Sequence, residues 1–209
     1  MIRVCIGDDH ELIREGFKRL IDREPDMECC AEAADGASVL RLLSRIEADV
    51  LVLDLNLPDR PGLEVLKDIQ VQDPALGVLV LSFHPEEQYA RRCMKAGARG
   101  YLSKDRAGGE LIQAIRCLAR GERYLSPEAA RSLAYEDLGG AEGPPHTRLS
   151  DREFELMVLF AGGQNLRQAS ESLGLSINTV SSYKSRLWKK MGFTSNAELI
   201  RYVVSQGLL

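Results

Sequence analysis

The first 120 positions of this 209-residue chain alternate between two patterns, and that alternation constrains its fold most. Short apolar runs stand at 2–6, 27–33, 50–53, 78–81 and around 101–102. Between them, apolar residues recur at helical spacing, as at Leu12, Ile13, Phe17 and Leu20, or Leu111, Ile112, Ile115 and Leu118. Five strand-then-helix units in sequence predict an α/β domain: a doubly wound, five-stranded parallel sheet with helices on both faces. The third and fourth runs, VLVL and VLVL, have no polar alternation, so they are expected as central strands buried on both sides.

The pattern changes after residue 120. The stretch 121–148 combines GERYLSPEAARSLA with YEDLGGAEGPPHT, rich in Gly, Pro and acid. It reads as a linker, with a short helix capped by Ser126 and opened by Pro127. Residues 149–209 show no strand alternation and predict an all-α, four-helix unit. Its helices are expected at roughly 150–161 (capping box Ser150/Glu153), 165–173, 177–191 (Ser176 before, Gly192 after) and 195–206.

Composition excludes several classes. No apolar run approaches the roughly 18 residues a membrane span needs. The start, MIRVCIGDDH, meets two acids before any apolar core, so no signal peptide is expected. Five cysteines, an odd count without a CxxC pair, fit a reduced cytoplasmic compartment rather than a disulfide framework or zinc site. The net charge is −4, yet residues 149–209 hold 7 basic against 5 acidic side chains. Lys184, Arg186, Lys189 and Lys190 cluster there, which allows a nucleic-acid-binding unit on an acidic body.

Ligands of a doubly wound sheet sit outside the carboxyl ends of its strands. Asp8 and Asp9 follow the first predicted strand, Asp54 the third and Ser82 the fourth, with Lys104 just beyond the fifth. Three carboxylates meeting at one edge repel one another. A hard divalent cation resolves this, and an oxygen-only donor set favours Mg²⁺, with His10 beside the acids left out as a ligand. Mg²⁺ is usually completed by phosphate oxygens, which Lys104 and Ser82 are placed to hold. A carboxylate beside such a cation can attack phosphorus and become an acyl phosphate. Asp54 stands alone at its strand end and is the expected nucleophile.

With those residues in place, positions 1–120 resemble a response-regulator receiver domain, a flavodoxin-like fold. GDDH, LDLNLPDRPG, LSFH and ARGYLSKD carry the resemblance. It implies that Asp54 is the phosphoacceptor, and that Asp9, Asp54 and the backbone carbonyl of Asn56 ligate Mg²⁺, with Asp8 acting mostly through water. It further implies that Lys104 pairs with the phosphoryl group, that Ser82 swings toward it and that Tyr101 turns inward as a switch. The rival is a phosphatase with an aspartyl nucleophile, similar to haloacid-dehalogenase-like enzymes. Such an enzyme needs an acid two residues after the nucleophile, and Asn56 there cannot transfer a proton. A regulator rather than an enzyme is expected.

In the last 61 residues, LRQASESLGLSINTVSSYKSRLWKKMG reads as two helices joined at Gly174, the second suited to a major groove. Val180, Leu187 and Met191 form its inward stripe, and Trp188 beside them is expected to pack rather than stack on bases. LSDRE, LGLSINTVSSYKSRLWKKMG and SNAELIRYVVSQGLL resemble the NarL/FixJ (LuxR-type) helix-turn-helix. That resemblance implies Ser181, Ser182 and Ser185 at the recognition surface and Thr179, Tyr183 and Lys184 near the DNA backbone. Ala169-Ser170 replaces the family's usual Ile-Ala and predicts slightly looser packing. Together these imply a cytoplasmic transcriptional regulator. A sensor histidine kinase would phosphorylate it, and it would bind double-stranded promoter DNA as a homodimer, without membrane contact. The competing expectation is a receiver acting mainly through protein–protein signalling.

Overall fold

The computed structural model describes residues 1–83, 86–127, 129–131 and 144–208. The chain divides into two compact units, Met1–Ala134 and Tyr135–Leu209. The first contains β1 (Ile2–Gly7), α1 (Glu11–Ile21), β2 (Met27–Ala33), α2 (Gly36–Leu43) and β3 (Val50–Asp54). It continues with α3 (Gly62–Gln72), β4 (Gly77–Ser82), α4 (Glu86–Lys95), β5 (Gly100–Ser103) and α5 (Lys104–Ala119). All neighbouring strands pair in parallel, in the order β2-β1-β3-β4-β5.

The unbroken apolar runs occupy the middle of that order because both faces of the sheet are covered. Every residue of β3 and β4 is buried. Val4, Ile6, Val50, Val52, Leu79 and Leu81 pack with Phe17 and Ile21 of α1 and with Leu111, Ile115 and Leu118 of α5. The alternate residues Cys5, Leu51, Leu53 and Val80 point to the other face and are equally sealed. β2, at an edge, is mostly half-buried and carries a register shift opposite Val4 and Cys5.

Past α5 the chain lies along the sheet edge. Tyr124 bridges to Gly100. Ser126 caps a helical turn starting at 127, its hydroxyl accepting from the amide of Ala129 at 3.1 Å. Residues 128 and 132–143 of the expected linker lie outside the described residues.

Among its described residues the second unit has a 3-10 turn, Pro145–Arg148, then α6 (Asp151–Ala161), α7 (Leu166–Ser172), α8 (Ile177–Met191) and α9 (Asn196–Ser205). The predicted capping box forms: Ser150 Oγ accepts from the Glu153 amide, and Glu153 accepts from the Ser150 amide. A second box, Asn165 with Gln168, starts α7 and was not anticipated. Ser176 and Ser195 cap α8 and α9, and Gly192 ends α8 in the left-handed conformation. Phe154, Leu156, Met157, Ala169, Val180, Leu187, Leu199 and Val203 are almost fully buried and make the core. Trp188 packs edge-on against Phe160 and Phe193, as its place beside the apolar stripe predicts. Ser170 is also buried; its hydroxyl donates to the Arg167 carbonyl at 2.7 Å, so this polar substitution is satisfied within its own helix. Among the described residues, no helix is long and apolar enough to cross a membrane.

Candidate phosphoacceptor site and nucleic-acid interface

The parallel sheet delivers its strand ends to one edge. β1 ends at Gly7, immediately before Asp8 and Asp9, β3 ends on Asp54 and β4 on Ser82. Lys104 is the first residue of α5, directly after β5. Four sequence-distant segments therefore meet because each strand is in register with its neighbour; Asp54 pairs with Leu81, and Ser82 with Ser103.

Lys104 Nζ lies 2.7 Å from Asp54 Oδ2 and 2.6 Å from Asp8 Oδ2. All three side chains are at most 3% exposed. Asp54 Oδ1 accepts from the Asn56 amide at 3.1 Å, and Asp8 Oδ1 from the His10 amide at 2.9 Å. Burial pushes the Asp54 carboxyl above the usual carboxylate range; Lys104 works against this, and the charge of Asp8 adds to it. Asp9 is part-exposed and is not the cap of α1: His10 holds the N-cap position, without a side-chain cap bond. The His10 ring sits 2.7 Å from Asp9 Oδ1.

Asp8, Asp9, His10 and Asp54 each offer a donor atom, all within 4.8 Å of one another. Three carboxylates face one buried ammonium, so the cluster keeps excess negative charge. An acidic pocket of oxygen donors fits Mg²⁺, the cation that receiver domains bind at such a site.

Tyr101 is fully buried and hydrogen-bonds Ser82 through their side chains, with its phenol pushed well up, chiefly by burial. The inward position that the resemblance assigns to a switched state is thus the one seen here. Gly62 has a role beyond the turn into α3. A Cβ there would lie 2.4 Å from the Asp54 carbonyl oxygen and 2.6 Å from Leu55 Cα, so only glycine lets α3 start this close beneath the site. Sequence reasoning missed two neighbours. Arg14 donates to the Asp8 carbonyl at 2.7 Å, and the Phe83 ring, 58% exposed, lies 5.2 Å from Lys104 Nζ. The apolar Phe83, directly after Ser82, was the available signal.

In the second unit all six expected DNA-facing residues fall on α8. Ser181, Ser182 and Ser185 are exposed. The hydroxyls of Ser182 and Ser185 donate to the carbonyls of Asn178 and Ser181. Thr179, Tyr183 and Lys184 are half-buried. Thr179 shares the Ser176 cap (Oγ–Oγ 2.8 Å), and Arg186 stacks 4.7 Å over Tyr183. Lys184 Nζ lies 4.8 Å over Trp188 and 5.3 Å over Phe160. Of the basic cluster, Lys190 is turned inward: its Nζ lies 2.6 Å from Glu153 Oε2, a carboxylate with a side chain only 2% exposed. Exposed Asn178 was missed, although the 3.6-residue period sets it on the Ser182–Ser185–Lys189 stripe opposite Val180 and Leu187.

Two family models match the chain. Residues 4–116 match the response regulator receiver domain, more than half of the sequence. This chain is a two-component response regulator. Residues 147–203 match the bacterial regulatory proteins of the luxR family, which places this response regulator among the phosphorylation-dependent, DNA-binding transcriptional regulators of the NarL/FixJ type. It is 32% identical to the response regulator UvrY of Escherichia coli K12, covering all of this chain and 96% of UvrY. It is 32% identical to the response regulator GacA of Pseudomonas aeruginosa, covering all of this chain and 98% of GacA. Among solved structures, RcsB of Salmonella enterica serovar Typhimurium, bound to promoter P1flhDC with the phosphomimetic BeF3-, superposes with a TM-score of 0.71. It shares 26% identity, over 98% of both chains.

Proposed function

We propose that this response regulator accepts a phosphoryl group on Asp54 from a sensor histidine kinase and binds promoter DNA through α8. The observation carrying the reading is the buried Asp54 carboxylate at a strand end, with Lys104 Nζ 2.7 Å away and two further aspartates beside it. An Asp54 oxygen attacks phosphorus of the phosphohistidine. The new O–P bond forms as the P–N bond breaks, and the imidazole leaves with that electron pair. Asp9, Asp54 and the Asn56 carbonyl, with Asp8 through water, would hold Mg²⁺, which when bound would supply neutralisation of the phosphoryl oxygen charge. Lys104, freed from its ion pair with Asp54 as that carboxylate is esterified, orients the phosphoryl oxygens and balances their charge. The Ser82 hydroxyl then has a stronger acceptor than the Tyr101 phenol, and Tyr101 transmits its shift. Asn56 offers no proton-transferring group, so the acyl phosphate outlives the transfer.

The domain division follows from this reading: a receiver over 1–120, a linker over 121–148 and a DNA-binding unit over 149–209. Ser181, Ser182 and Ser185 meet base edges or phosphate, and Thr179, Tyr183 and Lys184 the backbone. The three serines carry no charge, so a single unit binds weakly and a homodimer on paired half-sites is the active form. The cytoplasm, where kinase and promoter meet, is its expected compartment. One observation favours the rival reading of a mainly protein-directed signal: Lys184 and Lys190 are both engaged within the unit. A gel shift on promoter fragments selected with the beryllofluoride-treated protein decides. Binding that requires beryllofluoride and disappears in Asp54→Asn supports the proposal; binding indifferent to both, or none, favours the rival.

A further inference from the structure

The segment after α5 is tied to the face made by α4, β5 and α5. The Tyr124 amide donates to the Arg99 carbonyl at 3.0 Å, and the Tyr101 amide donates to the Tyr124 carbonyl at 3.1 Å. Tyr124 thus adds a one-residue parallel bridge to the β5 edge, bonded to the main chain of the switch tyrosine itself. Gly100 permits the approach, since a Cβ there would stand 3.1 Å from the Tyr124 carbonyl oxygen and 2.9 Å from Leu79 Cδ1. The Tyr124 hydroxyl donates to Glu110 Oε2 at 2.7 Å. Beyond it, the buried Ser126 amide donates to Glu86 Oε1 at 2.8 Å, and Glu86 Oε2 receives Arg106 at 3.4 Å.

Glu86 is the first residue of α4, four positions after Ser82, and is only 9% exposed. Its carboxylate lies close enough to oppose ionisation of both Tyr101 and Tyr124. A buried carboxylate is kept only where its acceptors are used. Here one oxygen is spent on an arginine and the other on the backbone of the segment leading to the DNA-binding unit.

We propose that Glu86 is a positioning residue that couples the phosphoacceptor site to this segment, holding residues 122–127 against β5 until Asp54 is phosphorylated. The inference rests on the phosphoacceptor reading of Asp54. A phosphoryl group draws the Ser82 hydroxyl from Tyr101. Tyr101, already inward, loses that side-chain bond, and the bond from its amide to Tyr124 and the Glu86 bond to Ser126 loosen together, because Tyr124 and Ser126 lie on the same short stretch. The segment is a two-state element, and a charge at Asp54 biases it.

The test is amide hydrogen exchange of the full chain with Mg²⁺, with and without beryllofluoride, alongside the fluorine resonance of bound beryllofluoride. In the wild type, beryllofluoride should speed exchange at Tyr101 and Ser126 about tenfold while the β1 and β3 amides stay protected. Glu86→Ala should exchange fast at Ser126 already, with no further rise on adding beryllofluoride. Glu86→Gln, which keeps one acceptor oxygen, should restore part of the response and serves if the alanine variant misfolds. A bound fluorine signal with unmoved Ser126 exchange overturns the coupling alone, as does a full response in Glu86→Ala. No bound signal overturns the phosphoacceptor reading, and the coupling with it.

Discussion

Replacing Lys104 by methionine isolates what holds two buried carboxylates together. In the folded chain its ammonium lies 2.7 Å from Asp54 and 2.6 Å from Asp8, all effectively out of water. Removing one partner of a buried pair costs about 3–5 kcal/mol, because the other charge stays desolvated. Asp54, already raised by burial, can take up a proton and relieve part of this at about 1.4 kcal/mol per pKa unit, which sets the loss near the lower end, about 3 kcal/mol. With a urea slope of about 1–3 kcal/mol per molar, the midpoint of the first unit should fall by about 1–3 M in EDTA. Mg²⁺ at a hundred times its dissociation constant should return about 2.7 kcal/mol. The pH dependence has a definite sign. A carboxyl raised in the folded state favours folding below its unfolded pKa of about 3.9, and that advantage is lost as pH rises through the folded value. The variant's deficit should therefore shrink on acidification. Circular dichroism follows the unfolding, while Trp188, the one tryptophan, reports the other unit as an internal control. Equal midpoints for variant and wild type in EDTA, or a deficit independent of pH between 4 and 8, would refute the reasoning.

Asp54→Asn should abolish labelling by acetyl phosphate, since an amide cannot form the acyl phosphate; undiminished incorporation would move the nucleophile elsewhere. Lys184→Ala should weaken binding to all DNA sequences and lower the salt slope by about one. An unchanged slope would mean that its ammonium stays on the Trp188 and Phe160 rings. Burial opposes the Glu153 charge, but Lys190 and the Ser150 groups outweigh it and hold the carboxyl below its usual range. Its stabilisation is present above the unfolded pKa of about 4.3 and lost as pH falls through the folded value. Trp188 fluorescence should thus show the second unit weakening on acidification below pH 5. Lys190→Met, costing about 1–2 kcal/mol because Lys190 is half-exposed, should flatten that trend; a wild-type urea midpoint equal at pH 6 and pH 4 would contradict it.

The receiver fold was legible because its evidence is local. Runs of VLVL mean burial on both faces, and strand ends in a parallel sheet share one edge, so Asp8, Asp54, Ser82 and Lys104 were placed together before any distance was known. The helix starts at Ser150 and Ser176 were equally readable, since each serine bonds an amide only three residues on. What pattern could not supply was the direction of long side chains. Lys190 reads in sequence as one of four clustered basic residues, yet it closes on Glu153, 37 positions earlier. Lys184 lies over two rings, one of them on another helix.

Sequence alone therefore determined the strand order's central members, the acidic edge, the capped helices and the family. Those follow from periodicities of two and 3.6 residues and from bonds spanning three or four positions. Only the tertiary structure decided that Tyr101 lies inward, that Gly62 is needed beneath Asp54 and that Tyr124 and Ser126 are bound to β5 and Glu86. The reason is physical. The approaches of Tyr124 to Arg99 and of Ser126 to Glu86 join groups 25 and 40 positions apart; they depend on where whole elements pack, and no local preference in the chain encodes such distances.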